Sequence, residues 1–86
     1  MKIEDLIKGE IYRYNGFTDF IFQFDRMEKD KIKTAYAISV MDKDVIENVG
    51  LPSKSFFFRG VSPVEDYVKE WAKGKISYYE ERLKKR

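Results

Sequence analysis

A chain of 86 residues is the length of one domain. It contains no cysteine and no histidine, which excludes a disulfide framework, a thiol nucleophile, a Ser-His-Asp triad and the usual sulfur and nitrogen ligands of zinc. The formal net charge is +2, with 37% charged residues of both signs, a balance that suits a solvated surface and lacks the basic excess of a strong nucleic-acid footprint.

In chain order, Ile3, Leu6 and Ile7 allow one or two helical turns within residues 1–8. Lys8-Gly9 reads as a turn in which Gly9 is free to take positive φ. A short strand over 10–14 follows, and Asn15-Gly16 is a tight-hairpin signal joining it to a strand over 17–27. No apolar leader follows Met1 and no apolar run reaches the roughly 18 residues of a membrane span, so neither a signal peptide nor a membrane partner is expected.

Residues 20–27 and 32–41 alternate with period 2, as strands with one buried face do. Phe20, Phe22 and Phe24 share a face of the first; Thr34, Tyr36, Ile38 and Val40 share a face of the second, with Ile32 at its start. An odd loop, Lys29-Asp30-Lys31, predicts Phe24 opposite Tyr36 and Phe22 opposite Ile38. A two-residue loop would set Phe24 opposite Ala35 and Phe22 opposite Ala37, but Lys29-Asp30 lacks Asn-Gly or Asp-Gly chemistry. The odd loop leaves Ala35, Ala37 and Ser39 on the other face, small enough to permit strong curvature.

Residues 42–52 read as a connecting loop with room for one helical turn. Asp42, Asp44 and Glu47 fail the calcium-loop pattern, since Ile46 and Glu47 stand where a ligand and a glycine are needed. Ser55-Phe56-Phe57-Phe58-Arg59 reads as a strand; if Phe56 and Phe58 face the core, Phe57 and Arg59 face outward, the alternative being Phe57 under a helix. At a sheet edge it would invite a second copy, with a monomer preferred over that homodimer. Ser62-Pro63-Val64-Glu65 has the form of a helix start, Ser62 as N-cap and Glu65 closing a capping box. Val64, Tyr67, Val68 and Trp71 form its apolar stripe, and Gly74 its natural end. Ser77-Tyr78-Tyr79-Glu80 repeats the capping spacing and predicts a short second helix, with residues 84–86 fraying.

The run Ile3-Glu4-Asp5-Leu6-Ile7-Lys8-Gly9-Glu10-Ile11-Tyr12 resembles the opening of small SH3-like barrels, where a Leu-x-x-Gly turn leads into the first strand. Val61-Ser62-Pro63-Val64-Glu65 together with Trp71-Ala72-Lys73-Gly74-Lys75 resembles the helical close of small proteins of phages or mobile elements of Bacteroides-type bacteria. The resemblance implies a fold type and an accessory role in such an element, and brings no site residues with it.

The expected architecture is α+β: a curved antiparallel sheet of four or five strands, SH3-like, closed by a C-terminal helix with a short second helix. It occupies residues 1–86 as a single domain, mainly β over 1–61 and helical over 62–86. Fourteen aromatics (seven Phe, six Tyr, one Trp) exceed what one small core can hide, so some must reach the surface. No catalytic, metal or cofactor motif is present, and an enzyme is not expected. The primary reading is a non-enzymatic module in the bacterial host cytoplasm that binds another protein, for example as an inhibitor of a host defence nuclease. Its contact residues would be Tyr12, Tyr14, Phe57, Arg59 and Tyr78, because aromatics and Arg dominate hot spots.

The alternative is a small nucleic-acid-binding barrel. Residues 1–61 hold ten basic and ten acidic residues, whereas 62–86 hold seven and five, counted from the sequence. Arg13, Lys33, Arg82, Lys84, Lys85 and Arg86 would then supply the cations, and surface Tyr rings the stacking.

Overall fold

The computed structural model describes residues 1–85. A single 3-10 turn, Ile3–Asp5, precedes strands β1 (Ile11–Asn15), β2 (Phe20–Glu28), β3 (Lys31–Ser39), β4 (Val45–Glu47), β5 (Gly50–Pro52) and β6 (Gly60–Pro63), and helix α1 (Asp66–Lys84) closes the chain. The strands form one curved, open antiparallel sheet in the order β4-β3-β2-β1-β6, with β5 also pairing β3. The α+β class is thus as the sequence predicts, with six strands in place of four or five.

The extra strands come from residues 42–52. Instead of a loop with a helical turn, β4 pairs with the stretch from Tyr36 to Ile38 and β5 with the stretch from Lys31 to Lys33. Between them Asn48, at φ 51°, donates its N–H to the Ala35 carbonyl at 3.1 Å. Opposite this point β2 and β3 are irregular. Gln23 pairs Tyr36, Phe24 pairs Thr34 and Arg26 pairs Lys33, leaving Ala35 and Asp25 as extra residues. Two compensating bulges bend the sheet here while returning the outer ladder to its original register. Thr34, buried in the bend, is satisfied by donating both its N–H and its hydroxyl to the Val49 carbonyl, each at 3.0 Å.

The sheet buries both faces. On one, Tyr12, Tyr14, Phe22, Phe24, Ile32, Ala37, Leu51 and Val61 form a core, with Leu6, Phe20 and Phe58 packed around it. On the other, Ile11, Ile21 and Ile38 meet Ala72 and Ile76 of α1. The central register corrects the odd-loop expectation: Phe22 lies opposite Ala37, Ile21 opposite Ile38 and Gln23 opposite Tyr36. Glu28 pairs Lys31, so the turn has only Lys29 and Asp30, with Lys29 at φ 55°. Tertiary contacts hold this turn. Ser53 donates its N–H and its hydroxyl to the Asp30 carbonyl at 2.8 and 2.7 Å, and Lys54 lies 3.2 Å from the Asp30 carboxylate.

Two turns are corrected. Asn15-Gly16 makes no two-residue turn; β2 starts at Phe20, and Gly16 is needed because the Tyr14 ring lies against it, a Cβ there falling 2.6 Å from Tyr14 Cε1. Residues 55–58 form a turn, not a strand, closed by Phe58 N–H donating to the Ser55 carbonyl at 3.1 Å, and Arg59 N–H donates to the Asn15 carbonyl of β1 at 2.8 Å. The sheet-edge route to a homodimer through this segment therefore has no strand to pair.

The helix start is corrected as well. Ser62 and Pro63 stay in β6, opposite Arg13 and Tyr12, and the Ser62 hydroxyl takes a hydrogen bond from Asn15 Nδ2 at 3.3 Å instead of capping. Helix α1 begins after Glu65 and runs unbroken through Gly74, so the second helix is the same helix. Packing explains this continuity: Ala72 and Ile76 are buried on either side of Gly74, and Tyr79 meets Tyr36 edge-on at 6.1 Å. Val64 and Val68 of the expected stripe do pack against the core, which α1 continues with buried Ala72 and Ile76 and half-buried Tyr79 and Leu83, whereas Tyr67 and Trp71 fall towards solvent. Lys84 is the last helical residue; the expected fraying at Arg86 lies outside the described residues.

Candidate functional site

Two surfaces gather the exposed aromatic residues other than Tyr67. The first lies where the β1–β2, β3–β4 and β5–β6 connections meet. Phe17 is 83% exposed, Met41 84% and Phe56 95%. The Phe17 and Phe57 rings are 5.2 Å apart and those of Phe56 and Phe57 5.3 Å. Phe17, Met41, Phe57 and Arg59 share a groove of about 640 Å³.

Local chemistry holds these loops. Asp19 accepts from the Gly16 N–H at 3.3 Å and from Arg13 Nη2 at 2.9 Å. The Arg13 hydrogen bond holds the Asp19 carboxyl below its ordinary pKa, opposed by its partial burial, and the charge of Arg59 adds to the lowering. The Val40 N–H donates to the Asp19 carbonyl at 3.1 Å, binding the first loop to the end of β3. The β3–β4 turn is set by Lys43, at φ 62°, whose N–H donates to the Ser39 carbonyl at 2.7 Å and leaves Met41 at the tip. In the third loop Phe58 is the anchor, packed against Tyr14 with ring centroids 5.3 Å apart. With Phe58 turned in, Phe56 and Phe57 turn out. The expectation of Phe56 in the core is corrected, whereas Phe57 and Arg59 do point outward.

The second surface is a groove of about 670 Å³ between α1 and the start of β4. Trp71, Lys75, Tyr78 and Arg82 line it from the helix, and Lys43 and Asp44 from the sheet side. The spacing of four residues stacks each cation on the ring before it: Lys75 Nζ is 5.7 Å from the centre of Trp71, and Arg82 is 5.9 Å from that of Tyr78. Lys75 Nζ also donates to the Lys43 carbonyl at 3.3 Å, tying the two walls together.

The residues expected at a site are therefore scattered. Tyr12 and Tyr14 are core residues, and this corrects their assignment as contacts: the Tyr12 oxygen accepts from the Ile7 N–H at 2.9 Å, and the Tyr14 hydroxyl donates to Pro52. Phe57 and Arg59 belong to the loop surface, and Tyr78 to the helical groove. Of the cations named for nucleic acid, Arg82 joins the groove, Arg13 is paired with Asp19 and Lys33 is half-buried in β3. Lys84 and Lys85 are exposed at the end of the helix; Arg86 lies outside the described residues. Phe17, Met41, Phe56, Trp71, Lys43 and Lys75 were not foreseen. The legible signal was an apolar residue standing inside a turn, as Phe17 does between Gly16 and Thr18.

Among the described residues no cluster of three or more acidic side chains is placed to hold a metal ion, and no helix is long and apolar enough to cross a membrane. No family model, no curated protein and no solved structure matches this chain.

Proposed function

We propose that the protein is a binding module that engages another protein through the loop surface of Phe17, Met41, Phe56 and Phe57. The observation that carries this is the contact of the exposed Phe57 ring with the exposed rings of Phe17 and Phe56. A contiguous apolar patch rimmed by polar groups is the usual mark of a protein contact site. Arg59 is exposed beside it and, among the described residues, makes no ion pair. The partner this surface fits is thus a protein with an apolar patch and a carboxylate facing Arg59. The SH3-like character and the phage-type accessory role remain parts of the same proposal. A strongly bent antiparallel sheet supports the former, and the resemblance of the chain's ends supports the latter, with a host defence nuclease as the concrete target.

The test is a paired pull-down from bacterial lysate with the wild-type chain and with a Phe17→Ser, Phe56→Ser, Phe57→Ser variant, followed by reconstitution with the purified partner. The expected result is a protein held by the wild type alone, whose affinity falls further with Arg59→Glu. Equal capture by both chains, at unchanged circular dichroism, rejects the loop surface.

A further inference from the structure

We infer a second binding site, independent of the loop surface: the groove between α1 and β4 takes a segment of single-stranded nucleic acid. Three features converge on that ligand. Trp71 is 39% exposed and Tyr78 65%, two rings one heptad apart on the same wall. Base stacking on such rings is tolerant of sequence because every base has a π face. The charge of the groove is complementary to a phosphate chain: Lys43, Lys75 and Arg82 against the single carboxylate of Asp44. Among the described residues none of these three cations is in an ion pair.

The third feature is Gly74. It lies in the interior of a 19-residue helix, where glycine is unfavourable, and it lines the groove. A Cβ built there meets nothing within 4 Å, so no contact inside the protein requires a glycine. A bare position between Trp71 and Tyr78 lets a flat ligand approach the helix backbone between two rings. From Trp71 to Arg82 the helix rises about 16 Å, which gives a track and not a single point of contact. A mononucleotide has the same base-and-phosphate chemistry, and an acidic peptide has the same charge; neither uses the whole track of alternating ring and cation.

Trp71 is the sole tryptophan, so its emission reports on the groove directly. Titration of the full chain with oligo(dT) at low salt should quench it saturably, with an affinity that falls as salt rises. Tyr78→Ala, Arg82→Glu and Gly74→Leu should each weaken binding about tenfold at unchanged circular dichroism. A Phe56→Ser, Phe57→Ser double variant should bind oligo(dT) as the wild type does. Because Arg82 and Tyr78 are exposed, their variants keep the test decisive even if Gly74→Leu disturbs the helix. The proposal is overturned by an absence of quenching, or by binding that survives both Tyr78→Ala and Arg82→Glu. Loss of binding in the Phe56/Phe57 variant, or equal quenching by thymidine monophosphate or by polyglutamate, also overturns it.

Discussion

The Tyr14 hydroxyl donates to the Pro52 carbonyl at 2.6 Å, joining β1 to the end of β5 across 38 residues of sequence. β1 and β5 are not neighbours in the sheet, so this bond bridges the curl of the sheet from one side of the core to the other. Burial raises the Tyr14 pKa, so the phenol remains a donor through the neutral range. Tyr14→Phe retains the ring and removes only the donor. It should cost about 1 kcal/mol, measured as a lower urea midpoint with an unchanged slope.

Gly16→Ala should be destabilising although the backbone there needs no positive φ. The new methyl would sit 2.6 Å from Tyr14 Cε1, and the Tyr14 ring is confined between Phe20 and Phe58. Overpacking of this kind costs about 1–3 kcal/mol. Thermal melting of Gly16→Ala alone and with Tyr14→Leu checks the cause: the shorter side chain should remove most of the penalty added by the alanine.

Gly74→Ala should have the opposite sign. Its Cβ enters open space, and the helix gains about 1 kcal/mol from the better residue. The expected result is a higher melting temperature. A decrease would show that the α1 backbone needs glycine for a reason internal to the fold.

The Arg13–Asp19 pair should make part of the stability dependent on acid. Asp19 has a lowered pKa in the folded chain, chiefly through the Arg13 hydrogen bond. The unfolded state therefore binds the proton more readily. The contribution is complete above the unfolded carboxylate value of about 4 and is lost as pH falls through the lower, folded value. Both side chains are more than a third exposed, so solvent screening keeps the effect small. Urea unfolding below about pH 4 should show a shallower acid loss for Asp19→Asn than for the wild type.

Much of the β structure was legible in the residues themselves. Period-2 alternation over 20–41 marks β2 and β3, and Gly9 takes φ 90° at the turn where only glycine is at ease. These features depend on neighbours in sequence, and elementary backbone chemistry decides them. The helix was legible as an apolar stripe but not in its limits. Its true start depends on β6 holding Ser62 and Pro63, and its passage through Gly74 depends on the sheet beneath Ala72 and Ile76.

The register of β2 against β3 was decided from outside the hairpin. Lys29 accepts a left-handed conformation that costs roughly 1–2 kcal/mol, since Ser53 and Lys54 hold Asp30 and the core sets large Phe22 against small Ala37. Composition showed that some of the fourteen aromatics must be exposed, but not which. In Phe56-Phe57-Phe58 three identical side chains carry no pattern to choose among them. Only the fit of Phe58 against Tyr14 turns one inward and leaves the other two to solvent. Sequence periodicity thus determined that 20–28 and 31–39 are strands and that an amphipathic helix covers the sheet, because it records a repeating local geometry. The two surfaces were decided by tertiary structure, because each is assembled from segments that only folding brings together.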